Sequence, residues 1–143
     1  MKIISARIVL AFLLIQFSQA NTPTWEQWRG PNRNGIIEDK SFEWPSNLKG
    51  IKKVWHKPVS EGYSSPIITE KIVFTVETKD KTNEIVRSFD RSTGKQLWEK
   101  SWEGSMKVPF FARKNGSWVR STPVYDKGTL YIGGIRDVLV ALD

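Results

Sequence analysis

The 143-residue sequence has no cysteine and a single histidine, His56. The first absence excludes a disulfide framework, a lipid-attachment cysteine and any thiolate metal site, so stability must come from packing. The second leaves no histidine cluster for zinc, and there is no Gly-rich phosphate loop or nucleophile elbow. His56 itself sits in a β-patterned segment with apolar neighbours and reads as an ordinary strand residue rather than a ligand or base. No carboxylate pair can be argued from Glu61, Asp80 and Asp90. Long helical periods are missing too, so very little helix is expected. The one continuous apolar run, residues 8–15, is short for a bilayer span and is followed by polar Gln16. With Lys2 and Arg7 ahead of it and Ser18-Gln19-Ala20 behind, residues 1–20 form a secretory signal peptide, and the mature chain starts at Asn21. The protein is therefore expected to be exported, periplasmic or secreted, without stable membrane insertion after cleavage.

Acidic groups are outnumbered, 15 Asp and Glu against 22 Lys and Arg, for a net charge of +7. A basic surface suits nucleic acid, anionic polysaccharide or a membrane face. Export argues against nucleic acid. The cations are interspersed with acids, and even Lys49, Lys52, Lys53 and Lys57 fall on or near an expected strand, so a solvated face accounts for them. What the chain does have is aromatic bulk, 12% of residues with seven Trp, carried on short β-patterned runs. That combination indicates an all-β fold with large packed side chains.

The clearest local unit is Ser88-Phe89-Asp90-Arg91-Ser92-Thr93-Gly94-Lys95-Gln96-Leu97-Trp98. A β-run enters it, a turn occupies its middle, and a second β-run leaves it. Asp90 can accept from backbone N–H groups one or two residues on, and Gly94 can take the positive φ that closes the loop. Trp98, on the return strand, is suited to pack against a neighbouring sheet rather than its own hairpin. Ser88, Asp90, Thr93, Gly94, Lys95 and Trp98 together resemble the tryptophan-docking motif Ala-x-Asp-x-x-x-Gly-Lys-x-x-Trp of the pyrroloquinoline-quinone-like (PQQ-like) β-propeller repeat. Only Ser88 departs from it, by a mild change where a small residue is wanted. Ala141-Leu142-Asp143 looks like the opening of another copy. Upstream, Trp25-Glu26-Gln27-Trp28-Arg29-Gly30-Pro31 resembles the segment preceding the first blade in exported bacterial members of that family, with Trp25 and Trp28 covering apolar surface on the propeller body.

The resemblance implies a β-propeller of four-stranded antiparallel blades, quinoprotein-like, present as an N-terminal fragment of about one and a half blades. Residues 21–50 form an irregular arm and 51–143 the partial propeller. Within the latter, Val54-Trp55-His56-Lys57 parallels Leu97-Trp98-Glu99-Lys100, which makes 51–59 an outer strand that closes a final blade. Blade one occupies 63–102, with strands over 64–68, 71–77, 85–89 and 96–102 and a polar loop over 79–84. Partial blade two occupies 119–143, with strands over 121–125, 129–133 and 138–142 and a turn at Asp126-Lys127-Gly128.

Trp55 to Pro66 spans 11 positions and Trp98 to Pro123 spans 25, which marks a 14-residue insertion. The resulting loop, 103–118, contains Met106, Phe110, Phe111, Arg113 and Trp118. Loops between blades can reach a partner-binding face, so Phe110, Phe111, Arg113 and Trp118 are the candidate binding residues, with a loop folded over its own blade as the alternative. Asn115-Gly116-Ser117 fits both an N-glycosylation pattern and a tight turn, and the turn is preferred.

Two functions remain open. One is an exported, non-catalytic binding scaffold for protein or polysaccharide, with no cofactor in this segment. The other is the N-terminal part of a PQQ-dependent alcohol dehydrogenase-like quinoprotein, which would hold PQQ with calcium on the propeller axis by ligands drawn from several blades. The fold does not choose between them.

Overall fold

The structure, a computed structural model, describes residues 22–38, 45–104 and 108–143. The leader over 1–20, Trp44 and Met106 lie outside the described residues. The rest forms two antiparallel sheets. The first contains β1 (Ile67–Ile68), β2 (Ile72–Lys79), β3 (Asn83–Asp90) and β4 (Gln96–Glu103), in that order. The second contains β5 (Val124–Asp126), β6 (Thr129–Gly133) and β7 (Leu139–Leu142). Helical geometry is limited, among the described residues, to two short 3-10 segments, Leu48–Gly50 and Phe110–Asn115.

The turns explain why the strands run where they do. Asp80 and Lys81 both adopt left-handed φ, 56° and 58°, the geometry of a primed hairpin turn whose twist matches the flanking strands. The ladder therefore runs to Lys79↔Asn83, and the polar loop expected over 79–84 is only a tight turn. Lys127 and Gly128, with φ of 47° and 98°, do the same between β5 and β6 at the expected position. A bulge between Ser88 and Phe89 offsets the β3–β4 ladder just before the hairpin turn.

Register decides what each face carries. Phe74↔Ser88, Val76↔Val86 and Thr78↔Glu84 share one face of the first sheet, and Trp98 and Trp102 join it from β4. This face packs on Leu130 and Ile132 of β6, with Val119 between the sheets, to make the core. Phe74 lies 5.7 Å from both the Trp98 and Tyr125 rings, and Trp98 packs against this core.

Polar groups tie the sheets together. The buried Glu84 carboxylate accepts from Trp102 Nε1 at 2.7 Å in its own sheet and from the Ile135 N–H at 2.8 Å in the β6–β7 turn. Thr78 Oγ1 accepts from the Val119 N–H at 2.8 Å. On the opposite face Glu77 pairs with Arg87 and accepts from Thr75 Oγ1 and the Ser60 N–H. Ser88 differs: its hydroxyl is buried with no hydrogen-bond partner. A buried polar group left unmade costs free energy, so Ser88→Ala should hold or raise stability, by about 1 kcal/mol. Urea unfolding checks this, and a loss of that size would show that the hydroxyl has a partner.

Among the described residues, 51–59 pairs with no strand, and the segment is anchored by the Trp55 side chain. The arm is less uniform than expected. Trp25 is half-buried and bridges β1, donating to Ile68 O at 2.6 Å and accepting from the Ile68 N–H at 2.9 Å. Trp28 is 60% exposed, its ring capped by the Arg29 guanidinium, so most of it faces solvent rather than the propeller body. Glu26 O accepts from the Tyr125 N–H at 2.9 Å, and the arm thus reaches the inner strands of both sheets.

Candidate functional site

The β3–β4 turn is built around one carboxylate. Asp90 Oδ1 accepts from the Ser92 N–H, the Ser92 hydroxyl, the Thr93 N–H and the Thr93 hydroxyl at 2.6–3.0 Å. The Gly94 N–H reaches Asp90 O at 2.8 Å, with Gly94 at φ 69°. Donors converging on the charged form, the Ser92 hydroxyl first and Thr93 next, pull the Asp90 carboxyl down to about 2. Because the folded-state value is depressed, this stabilisation is complete above the ordinary carboxylate value and is lost as pH falls through about 2. NMR titration of the Asp90 side-chain carbon should give a midpoint near 2; an ordinary carboxylate midpoint would contradict the turn as described.

This turn receives Trp55. The indole Nε1 donates to Arg91 O at 2.7 Å, and the ring lies so close over Gly94 that a Cβ there would sit 2.8 Å from it. Phe89 is 6.4 Å away, centroid to centroid. The six motif residues are therefore not one site. Asp90, Thr93 and Gly94 make the turn, and the Lys95 N–H closes onto Thr93 Oγ1. Ser88 is buried, and Trp98 faces the second sheet, beside Leu142 and Asp143.

The inserted loop is ordered as a 3-10 turn over Phe110–Asn115. Phe110 and Phe111 pack edge to face, ring centroids 5.7 Å apart, yet remain 81% and 76% exposed. Arg113 and Lys114 are exposed beside them. Trp118 is separated from this group: it is half-buried and folds over Gly116, where any Cβ would overlap the indole. Arg120 supports this return, donating to Gly116 O at 3.3 Å and lying over the Tyr63 ring.

Sequence reasoning missed a cleft of ≈ 590 Å³ between the arm and β1, lined by Trp25, Ile36, Ile37, Ile68 and Arg91 among others. The Ile36-Ile37 pair following a Gly turn was its only local signal. On the other side of the arm, burial and the nearby Glu70 and Asp126 carboxylates push Glu26 above its ordinary value. Among the described residues, no group of three or more His, Cys, Asp or Glu could hold a metal ion.

Short antiparallel sheets of up to four strands, stacked face to face and linked from outer strand to next inner strand, define β-propeller blades. Residues 82–143 match the family model described as outer membrane protein assembly factor BamB, a PQQ-like repeat. This segment, from β3 through β7, is thus similar to a PQQ-like repeat, in keeping with the turn motif. No curated protein and no solved structure matches the chain. No helix among the described residues is long and apolar enough to cross a membrane.

Proposed function

We propose that this chain is an exported, non-catalytic propeller module of the cell envelope that binds a protein through its inserted loop. The observation that carries this reading is the Phe110–Phe111 pair, presented almost fully to solvent on an ordered turn beside Arg113 and Lys114. Aromatic side chains with few rotatable bonds, flanked by cations, are the composition of binding hot spots, and their exposure costs solubility unless a partner covers them. The matching family is described as an outer membrane protein assembly factor, which favours a protein partner over a polysaccharide. The strand carboxylates support the same reading, because Glu77 and Glu84 are committed to structural hydrogen bonds.

A photo-crosslinking residue at position 111, in cells exporting the protein, should capture a defined protein, whereas the same residue at exposed Leu48 should not. The double variant Phe110→Ser, Phe111→Ser should weaken binding of that protein by about 30-fold, the loss expected for roughly 2 kcal/mol at a hot spot. Undiminished binding by the double variant sinks the loop as the docking site. Stoichiometric binding of PQQ and calcium by the purified protein would instead favour the quinoprotein.

A further inference from the structure

The docking role of the inserted loop leaves the chemistry of its partner open, and the loop's own residues narrow it. Between Glu103 and Asp126 the sequence has no Asp or Glu, while Lys107, Arg113, Lys114 and Arg120 all fall within that stretch. Exposed cations nearby meet acids: Lys79 lies 4.0 Å from Glu99, and Arg136 pairs with Glu103 where the loop begins. Arg113 and Lys114 are exposed and meet none among the described residues. Their charge is left for a partner to neutralise.

The backbone sets the spacing of these groups. Phe110–Asn115 is a 3-10 segment, in which residues three apart lie over one another and each residue rises about 2 Å. Phe110 therefore shares a side of the turn with Arg113, and Phe111 with Lys114, giving two aromatic-and-cation columns with a rise of about 6 Å within each. The turn is held in this form. The Ala112 N–H donates to Pro109 O and the Gly116 N–H to Arg113 O, the Trp118 indole covers Gly116, and Arg120 donates to the Gly116 carbonyl.

We infer that the partner of this loop is an acidic, apolar protein segment in extended form, which sets apolar side chains against Phe110 and Phe111 and carboxylates against Arg113 and Lys114. In an extended chain alternate residues share a face about 6.6 Å apart, which matches the rise within each column. Apolar and acidic residues therefore alternate along the face that docks. Carboxylates on Arg and Lys form charge-assisted hydrogen bonds, and the two rings keep water from them, which strengthens both pairs. An anionic lipid surface offers the same charge but is fluid and selects no spacing, so a turn fixed in advance favours a peptide. This inference rests on the reading of the Phe110–Phe111 loop as a docking site.

Fluorescence anisotropy with synthetic peptides tests it on the purified chain. A peptide repeating Leu-Ser-Glu-Ser should bind at least about ten-fold tighter than its neutral Leu-Ser-Gln-Ser counterpart. The difference should shrink as salt rises from about 0.05 M to about 0.5 M. Arg113→Gln combined with Lys114→Gln should remove the preference and leave the circular dichroism unchanged, whereas Lys49→Gln combined with Lys52→Gln, at exposed cations elsewhere, should keep it. Equal affinity for the two peptides, binding of neither, or a preference that survives the Arg113 and Lys114 changes overturns the inference. So does retention on phosphatidylglycerol vesicles through Arg113 and Lys114 without peptide binding, which would assign these cations to a lipid surface. A protein captured at position 111 that binds the Arg113→Gln, Lys114→Gln variant undiminished removes the acidic partner and leaves the docking role standing. Capture of nothing at position 111 removes the docking role, and this inference with it.

Discussion

Glu84→Ala will destabilise the protein by about 3 kcal/mol in urea unfolding. Glu84 is fully buried, and its carboxylate is the acceptor for two donors, Trp102 Nε1 in the first sheet and the Ile135 N–H in the second. Removing it leaves both donors without a partner, at about 1–3 kcal/mol for each buried one, and opens a cavity besides. Neither donor residue is fully buried, which keeps the total near the lower end of that sum. Glu84→Gln retains an acceptor oxygen but brings in an amide N–H₂ group and gives up charge-assisted bonds, so a smaller loss of about 1 kcal/mol is expected. A loss below about 1 kcal/mol for the alanine variant would mean that the sheets are held by their apolar contact alone, without the carboxylate. Gly104 and Gly134 set the geometry of this clamp, since a Cβ at either would overlap Glu84.

Gly94→Ala will cost about 2–3 kcal/mol, from two separable sources. Holding alanine at φ 69° costs about 1 kcal/mol, because left-handed backbone crowds a Cβ against the following carbonyl. The remainder comes from Trp55: the new methyl would lie 2.8 Å from the ring, so the indole must lift off and release Arg91 O. A double-mutant cycle with Trp55→Ala separates the terms. In the Trp55→Ala background Gly94→Ala should cost only the backbone strain, giving a coupling of about 1–2 kcal/mol. Additive losses would show that Trp55 and Gly94 do not report on each other.

Much of the architecture was legible because its signals are local. The hairpin at 88–98 was readable from Asp90, Thr93 and Gly94, since an acceptor and a positive-φ residue at fixed offsets define the turn before any tertiary contact forms. The strands of both sheets lie close to their expected places for the same reason. The short turn at 80–82 was not legible. Asp80 and Lys81 are ordinary in solvent-exposed loops, and only the ladder on either side holds both in left-handed φ.

The inserted loop was located by counting, but its use of residues was not. Phe110, Phe111, Arg113 and Trp118 formed one group in the sequence, whereas the structure exposes the first three and turns Trp118 back over Gly116. Trp28 was placed on the propeller body yet stands in solvent, because a Trp carries the same apolar payload wherever the backbone turn aims it. Glu84 was passed over, since a Glu on a strand usually faces water. Its burial follows from which face the register assigns to it, and register is a pairing property.

By itself, the sequence determined the class of strands and turns, the hairpin motif, the absence of thiol chemistry and the place of the insertion. These depend on side-chain type and spacing within about a dozen residues. The tertiary structure alone decided that Trp55 docks on the Gly94 turn, that Glu84 clamps two sheets and that, among the described residues, 51–59 pairs with no strand. Each of these is a contact, or a missing contact, between segments far apart in the chain, set by which faces the sheets turn toward one another.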